Sequence, residues 1–132
     1  ALSRVARIEA EGMAIAADES MANGYAPELR QDAARFAAFR ARWLGNDPAS
    51  YAAIYRMLAS MDLQPELGRI ACPVLVLGGS LDRVRPPALV EPVARAIPHA
   101  RYEVIETGHY MAVATPELLA AAIGRFLDSA GA

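Results

Sequence analysis

An acidic residue and a histidine each follow a strand-like segment through a turn that contains glycine. Asp82 follows the apolar run at 73–77, and His109 follows a second strand-like run at 101–105. Catalytic groups commonly lie at the carboxyl ends of parallel strands, which meet at one edge of a sheet. An aspartate that accepts the imidazole N–H fixes the ring tautomer and leaves the other ring nitrogen as a general base. The spacing therefore predicts that Asp82 and His109 form an acid–base pair.

The elements that must position this pair alternate between strand and helix. The run at 73–77 is apolar at every position, as in a parallel strand buried on both faces. A helix is expected over 86–97, with Pro92 confining its regular part to the later residues. A final helix opens at Thr115-Pro116-Glu117, with a cap, a proline and a first-turn acid. The order β-α-β-α predicts an α/β fold with parallel pairing.

The chain before Gly68 has only helical patterns. Apolar residues predict one helix over 2–17 and another over 27–44, the second carrying Trp43. Asp47-Pro48 then opens a third helix, with Asp as the N-cap and Pro at the first helical position.

Composition excludes several classes of function. The chain has 132 residues and a net charge of −2 with no basic stripe, so nucleic acid and anionic membrane are excluded as partners. One cysteine and two histidines without ligand spacing exclude a disulfide framework and a metal site, and no cofactor is expected. No signal peptide or membrane-length apolar run is present, so we expect a cytoplasmic protein. The absence of Lys and the abundance of Ala are typical of a GC-rich, bacterial gene.

The chain has too few strands to bury an apolar parallel strand on both sides. Two parallel strands do not form a stable sheet, because such strands need strand neighbours and helices over both faces. We therefore expect the remaining strands to lie outside this chain. The first residue is Ala rather than Met, which is expected either if residues precede it in the gene or if an initiating Met has been removed before Ala.

Several motifs resemble the C-terminal part of an α/β-hydrolase, in which nucleophile, acid and histidine follow in that order. They are IACPVLVLGGSLD at 70–82, IPHA at 97–100, GHY at 108–110, PE at 116–117 and FL at 126–127. The resemblance implies that Asp82 is the triad acid and His109 the base, without a cofactor. It also implies a helical cap (lid) at 1–68 and a β-α-β-α segment of the hydrolase core at 69–132.

Three further segments are most similar to enol-lactone hydrolases of the 3-oxoadipate type. They are RIEAEGM at 7–13, DPASY at 47–51 and DL at 62–63. This similarity implies hydrolysis of a small ester or lactone. The nucleophile elbow G-x-S-x-G is absent, and Ser80, which has Gly two residues before it, has Asp82 two residues after it. We therefore expect the nucleophilic serine and the oxyanion hole to come from residues outside this chain, in cis or in trans.

Four residues are expected to line the substrate pocket. They are Trp43, Val84, Tyr110 and Met111. Arg83 and Arg85 flank the acid and are either solvated surface residues or an attraction for an anionic substrate.

Two other functions remain open. The chain is alternatively a non-catalytic truncated fragment or an interaction module, which associates with itself or a partner through an exposed sheet edge. A nucleotide-binding module built on Gly78-Gly79 ranks last, because G-x-G-x-x-G is absent.

Overall fold

The structure is a computed structural model that describes residues 2–130, excluding the side chain of residue 2. Its first part, here called the helical segment, covers residues 2–69. It contains α1 (Leu2–Glu11), α2 (Met13–Gly24), a 3-10 helix (Pro27–Leu29), α3 (Ala33–Leu44), α4 (Pro48–Ser60) and a second 3-10 helix (Gln64–Arg69). The expected all-helical first half is present, but the boundaries of its first two helices differ from the prediction.

Two backbone features account for these differences. The single helix predicted over 2–17 is wrong, because Gly12 has a φ of 80° and separates α1 from α2. A positive φ of this size interrupts a right-handed helix and is easiest for glycine. The helix predicted from residue 27 begins at Ala33, where Asp32 caps it by accepting the N–H of Arg35 at 2.9 Å. Asp47 caps α4 in the same way, as predicted, by accepting the N–H of Ser50 at 2.8 Å.

The second part, here called the strand segment, follows the predicted β-α-β-α order with one short additional helix. It contains β1 (Leu75–Gly79), α5 (Pro87–Ala96), β2 (Arg101–Ile105), α6 (Met111–Ala114) and α7 (Pro116–Ala130). The two strands pair in parallel, from Leu75 opposite Arg101 to Gly79 opposite Ile105. The prediction that Pro92 limits the helix is wrong, since α5 runs through it. Proline removes one backbone hydrogen bond, and packing of α5 on both strands holds the helix.

Burial is uneven between the two parts. In the helical segment, Ile8, Met13 and Ala16 form a buried cluster against which Trp43 and Tyr51 pack. In the strand segment the side chains of β1 are only half-buried, and Leu89 and Leu127 are 59% and 60% exposed. No helix within residues 2–130 is long and apolar enough to cross a membrane.

Candidate active site

The loop that carries Asp82 is fixed against the loop that carries His109. After β1 the chain turns, and the N–H of Asp82 donates to the carbonyl of Gly79 at 3.1 Å. The N–H of Leu81 donates to the carbonyl of Thr107 at 3.0 Å, which joins the two loops directly. A Cβ at Gly79 would overlap the Thr107 carbonyl oxygen. Glycine at position 79 therefore permits the close approach of the two strand ends.

The Asp82 carboxylate has a defined set of hydrogen-bond partners. Its Oδ1 accepts the backbone N–H groups of Val84 and Arg85, each at 2.8 Å. Its Oδ2 lies 2.9 Å from Nδ1 of His109, and the side chain is only 6% exposed. A carboxylate that accepts three hydrogen bonds in a buried position is held in one orientation. Asp82 therefore holds the imidazole in a fixed position.

His109 is held from the other side by the helical segment. Its backbone N–H donates to the carbonyl of Gly24, the last residue of α2, at 3.1 Å. A side chain at Gly24 would collide with the ring of Tyr110, so the helix end and the histidine loop are in close contact. Because a carboxylate only accepts, its pairing with Nδ1 places the proton of the neutral ring there and leaves Nε2 as a base.

The His109 side chain borders a cleft between the helical and strand segments. The cleft consists of two adjoining hollows of about 350 and 480 Å³. The first is lined by Arg4, Glu19, Ser20, Asn23, Trp43, Tyr51, Tyr55, Arg83, Val84, His109 and Tyr110. Both hollows share Arg4, Tyr55, Val84 and His109. These dimensions suit a small molecule held beside the imidazole.

Three of the four residues expected to line the substrate pocket lie at the cleft beside His109. Trp43, Val84 and Tyr110 border the first hollow. Met111 is not among the residues that line either hollow. Met111 is the first residue of α6, and its carbonyl accepts the N–H of Thr115 at 3.0 Å. The chain has turned into this helix immediately after Tyr110, so adjacency to His109 in sequence does not carry over to the cleft.

The lining residues contributed by α1, α2 and α4 were not indicated by the sequence pattern. Arg4, Ser20, Tyr51 and Tyr55 line the cleft, although their positions only indicated helical faces. One available signal was the spacing of Arg4, which stands four residues before the buried Ile8 and therefore on the same face of α1. Charged residues are rare on buried helix faces, so a charged residue there is a candidate for a binding or catalytic site.

Two of the phenols that line the cleft, those of Tyr51 and Tyr110, are partly buried. Burial raises the pKa of Tyr110, and a hydrogen bond from Ser20 opposes the rise. Burial likewise raises the pKa of Tyr51, and the Arg4 guanidinium opposes it. Both phenols are therefore neutral at physiological pH, and the charge of the inner cleft comes from its arginines and Glu19. Within residues 2–130 no group of three His, Cys, Asp or Glu side chains is placed to hold a metal ion.

Comparisons with known proteins find enol-lactonases and an esterase among the similar proteins. No family model matches the chain. Over 67 residues, 51% of this chain and 25% of the relative, it is 37% identical to 3-oxoadipate enol-lactonase 2 of Acinetobacter baylyi. The enol-lactonase of Burkholderia xenovorans superposes with a TM-score of 0.91 at 25% identity, covering 96% of this chain and 49% of that one. A thermophilic esterase of Thermogutta terrifontis superposes with a TM-score of 0.87 at 30% identity. This match covers 98% of this chain and 49% of the esterase chain.

The shares of each chain covered by these matches describe the extent of the similarity. Nearly all of this chain superposes on the two solved structures, but it spans only about half of their length. The similarity therefore extends over both the helical and the strand segment.

Proposed function

The chain has the fold of the C-terminal part of an α/β-hydrolase, and from this premise we propose that it supplies the acid and the general base of a serine-type hydrolase. The substrate is a small ester or lactone, by analogy with the enol-lactonases and the esterase that it resembles. The proposal rests above all on one observation, the 2.9 Å contact between Asp82 Oδ2 and His109 Nδ1 at the edge of a cleft.

In the proposed reaction Nε2 of His109 carries out each proton transfer, while Nδ1 stays paired with Asp82. Nε2 takes the proton of a serine hydroxyl as the serine oxygen bonds to the carbonyl carbon of the substrate. Nε2 then gives this proton to the leaving alcohol or enol oxygen as the acyl–oxygen bond breaks. Water repeats the sequence on the acyl-enzyme, releasing the acid and restoring the serine. Asp82 stays ionised throughout and stabilises the imidazolium.

The serine and the oxyanion hole are proposed to lie in residues outside this chain, in cis or in trans. The exposed apolar side chains of the strand segment, including Leu89 and Leu127, are consistent with burial against the remainder of a larger sheet. A second candidate, association of two copies through the sheet edge without turnover, rests on the same exposure.

We also propose that residues 1–68 act as the cap and residues 69–132 as part of the catalytic core; Ala1 and residues 131–132 lie outside the described residues. The helical segment covers the edge of the sheet that carries His109, and it contributes Trp43, Tyr51 and Tyr55 to the cleft. A cap of this kind would select the substrate, while the strand segment would hold the reacting groups.

The test compares His109 with the other histidine of the chain, in protein completed by the polypeptide or domain that carries the nucleophile. His109→Asn is expected to lower hydrolysis of 4-nitrophenyl acetate by at least about 10,000-fold, the lower end of the losses that follow removal of a triad member. His99→Asn is the matched control, because His99 does not line the cleft and has a φ of 61° that asparagine tolerates. Retention of activity by His109→Asn would remove His109 from the mechanism and favour the non-catalytic alternative.

A further inference from the structure

The two threonines of the chain meet at the ends of the segment that carries His109. Threonine occurs only at positions 107 and 115. Thr107 follows β2 and is fully buried, and Thr115 lies between α6 and α7. The Oγ1 atoms of the two side chains are in hydrogen-bonding contact. This contact closes the segment 107–115 into a loop whose ends are joined by side chains.

The two hydroxyl groups have one arrangement in which both protons find an acceptor. Thr115 Oγ1 lies 3.4 Å from the carbonyl oxygen of Met111, which can only accept. Within residues 2–130 the Thr107 hydroxyl has Thr115 as its single hydrogen-bond partner. A hydroxyl donates one proton and accepts through two lone pairs. The Thr107 hydroxyl therefore donates to Thr115, and the Thr115 hydroxyl donates to Met111.

The direction of donation makes the two hydroxyl groups unequal. Without the Thr115 hydroxyl, the buried Thr107 hydroxyl would keep a proton that has no acceptor, which is a costly state. Without the Thr107 hydroxyl, Thr115 would still donate to Met111. Replacing both hydroxyls by methyl groups would leave no buried donor unpaired, and such paired replacements cost little. The contact therefore joins the segment ends at an energy that depends on both partners.

The two ends of this segment are attached to different parts of the strand segment. The Thr107 carbonyl accepts the N–H of Leu81, the residue before Asp82, at 3.0 Å. The Thr115 carbonyl accepts the N–H of Leu119 at 3.2 Å and so belongs to the start of α7. The hydroxyl contact therefore ties the loop of the acid to the longest helix of the strand segment, and the histidine lies on the chain between the two attachments.

We propose that Thr107 and Thr115 are positioning residues, which keep His109 paired with Asp82 by holding the ends of its segment together. The part concerning catalysis rests on the proposed function, whereas the closure of the segment stands on the hydroxyl contact alone. If the ends separate, the histidine can move and the 2.9 Å contact between Nδ1 and the Asp82 carboxylate opens more often. A general base that is out of position loses rate without a change in substrate binding.

The experiment measures opening of the pair and turnover in protein completed by the polypeptide or domain that carries the nucleophile. Exchange of the His109 Nδ1–H with water is followed by ¹H–¹⁵N NMR, and the signal is assigned by its loss in His109→Asn. Thr107→Val is expected to raise this exchange rate and to lower kcat for 4-nitrophenyl acetate, each by about 3- to 10-fold, the equivalent of one neutral hydrogen bond. KM should stay unchanged. An unchanged exchange rate or an unchanged kcat would overturn the proposal.

Two further variants separate positioning from the loss of any hydroxyl. Thr107→Ser keeps the donor and should retain the exchange rate and the kcat of the original protein. Ser60→Ala is the matched control and should change neither, because it removes an exposed hydroxyl that donates to the Met57 carbonyl at 2.8 Å in α4. If Ser60→Ala has the same effects as Thr107→Val, the assignment to the threonine pair is refuted.

Thermal unfolding tests the direction of donation without reference to activity. Thr115→Val strands the buried Thr107 proton and should lower the Tm by about 3–8 °C, more than Thr107→Val does. The variant with both substitutions should have a higher Tm than Thr115→Val. Equal Tm values for the two single variants, or additive losses in the double variant, would contradict the hydroxyl contact. Retention of activity by His109→Asn would instead refute the proposed function, while the exchange rates and Tm values would still decide whether the threonines close the segment.

Discussion

Replacing the Asp82 carboxylate, in protein completed by the polypeptide or domain that carries the nucleophile, tests the geometry of the pair. Asp82 accepts two backbone N–H groups through Oδ1 and pairs with His109 through Oδ2. In Asp82→Asn the amide oxygen can retain the two backbone bonds, while the amide NH₂ faces Nδ1. An NH₂ group donates, so Nδ1 must become the acceptor, and the proton of the neutral ring moves to Nε2. The base position would then be blocked without a change of shape.

The expected effects on stability differ between Asn and Ala. Asp82→Asn replaces charge-assisted hydrogen bonds by neutral ones and should cost about 1 kcal/mol. Asp82→Ala leaves the N–H groups of Val84 and Arg85 without their acceptor and removes the partner of His109. At about 1–3 kcal/mol for each unsatisfied group, reduced by the partial exposure of this loop, the loss should be about 2–4 kcal/mol.

Two measurements check this reasoning. Urea unfolding gives the two stability changes, and ¹⁵N NMR of the imidazole at alkaline pH gives the tautomer. We expect the Nδ1–H form in the original chain and the Nε2–H form in Asp82→Asn. Retention of the Nδ1–H form in Asp82→Asn, or equal stability of the Asn and Ala variants, would refute the geometry of the pair.

Three smaller changes test the packing around the cleft. Gly79→Ala should destabilise the chain by about 2–3 kcal/mol in urea unfolding, because its Cβ overlaps the Thr107 carbonyl; Gly124→Ala, with open space around it in α7, should instead stabilise by about 0.5–1 kcal/mol. Tyr25→Phe removes a buried hydroxyl without a partner and should leave thermal stability unchanged or raise it by about 1 kcal/mol, whereas a clear loss would reveal a hidden partner. Hydrogen bonds from Ser50 hold the pKa of Asp47 below its ordinary value of 3.8. The stability that results is present above pH 3.8 and is lost as the pH falls through the lower pKa of the folded state. Asp47→Asn should therefore be less stable than the original chain in urea unfolding at pH 7, and equally stable at pH 2.

The sequence was most informative where local chemistry sets the structure. Asp47-Pro48 predicted the start of α4 because a side-chain cap and a proline act within a few residues. The parallel pairing of the strands and the meeting of Asp82 with His109 were also predictable, since parallel strands place their following loops at one edge.

Other features depended on contacts between distant parts of the chain. Gly12 interrupts the first helix through a positive φ, although the apolar pattern continues across it. Pro92 fails to end α5 because packing against the strands compensates for the lost backbone bond. The role of Arg4 in the cleft depends on where α1 lies relative to His109, more than 100 residues later. Periodicity assigns a residue to a helix face without saying what that face meets.

The bond between His109 and Gly24 has a consequence for motion. The histidine backbone is attached to the end of α2, so a swing of that helix away from the sheet would displace the imidazole or break the attachment. By contrast, α4 packs on α1 and borders the cleft through Tyr51 and Tyr55 without holding the histidine loop. A displacement of α4 is therefore expected to disturb the pair of Asp82 and His109 less than a displacement of α2.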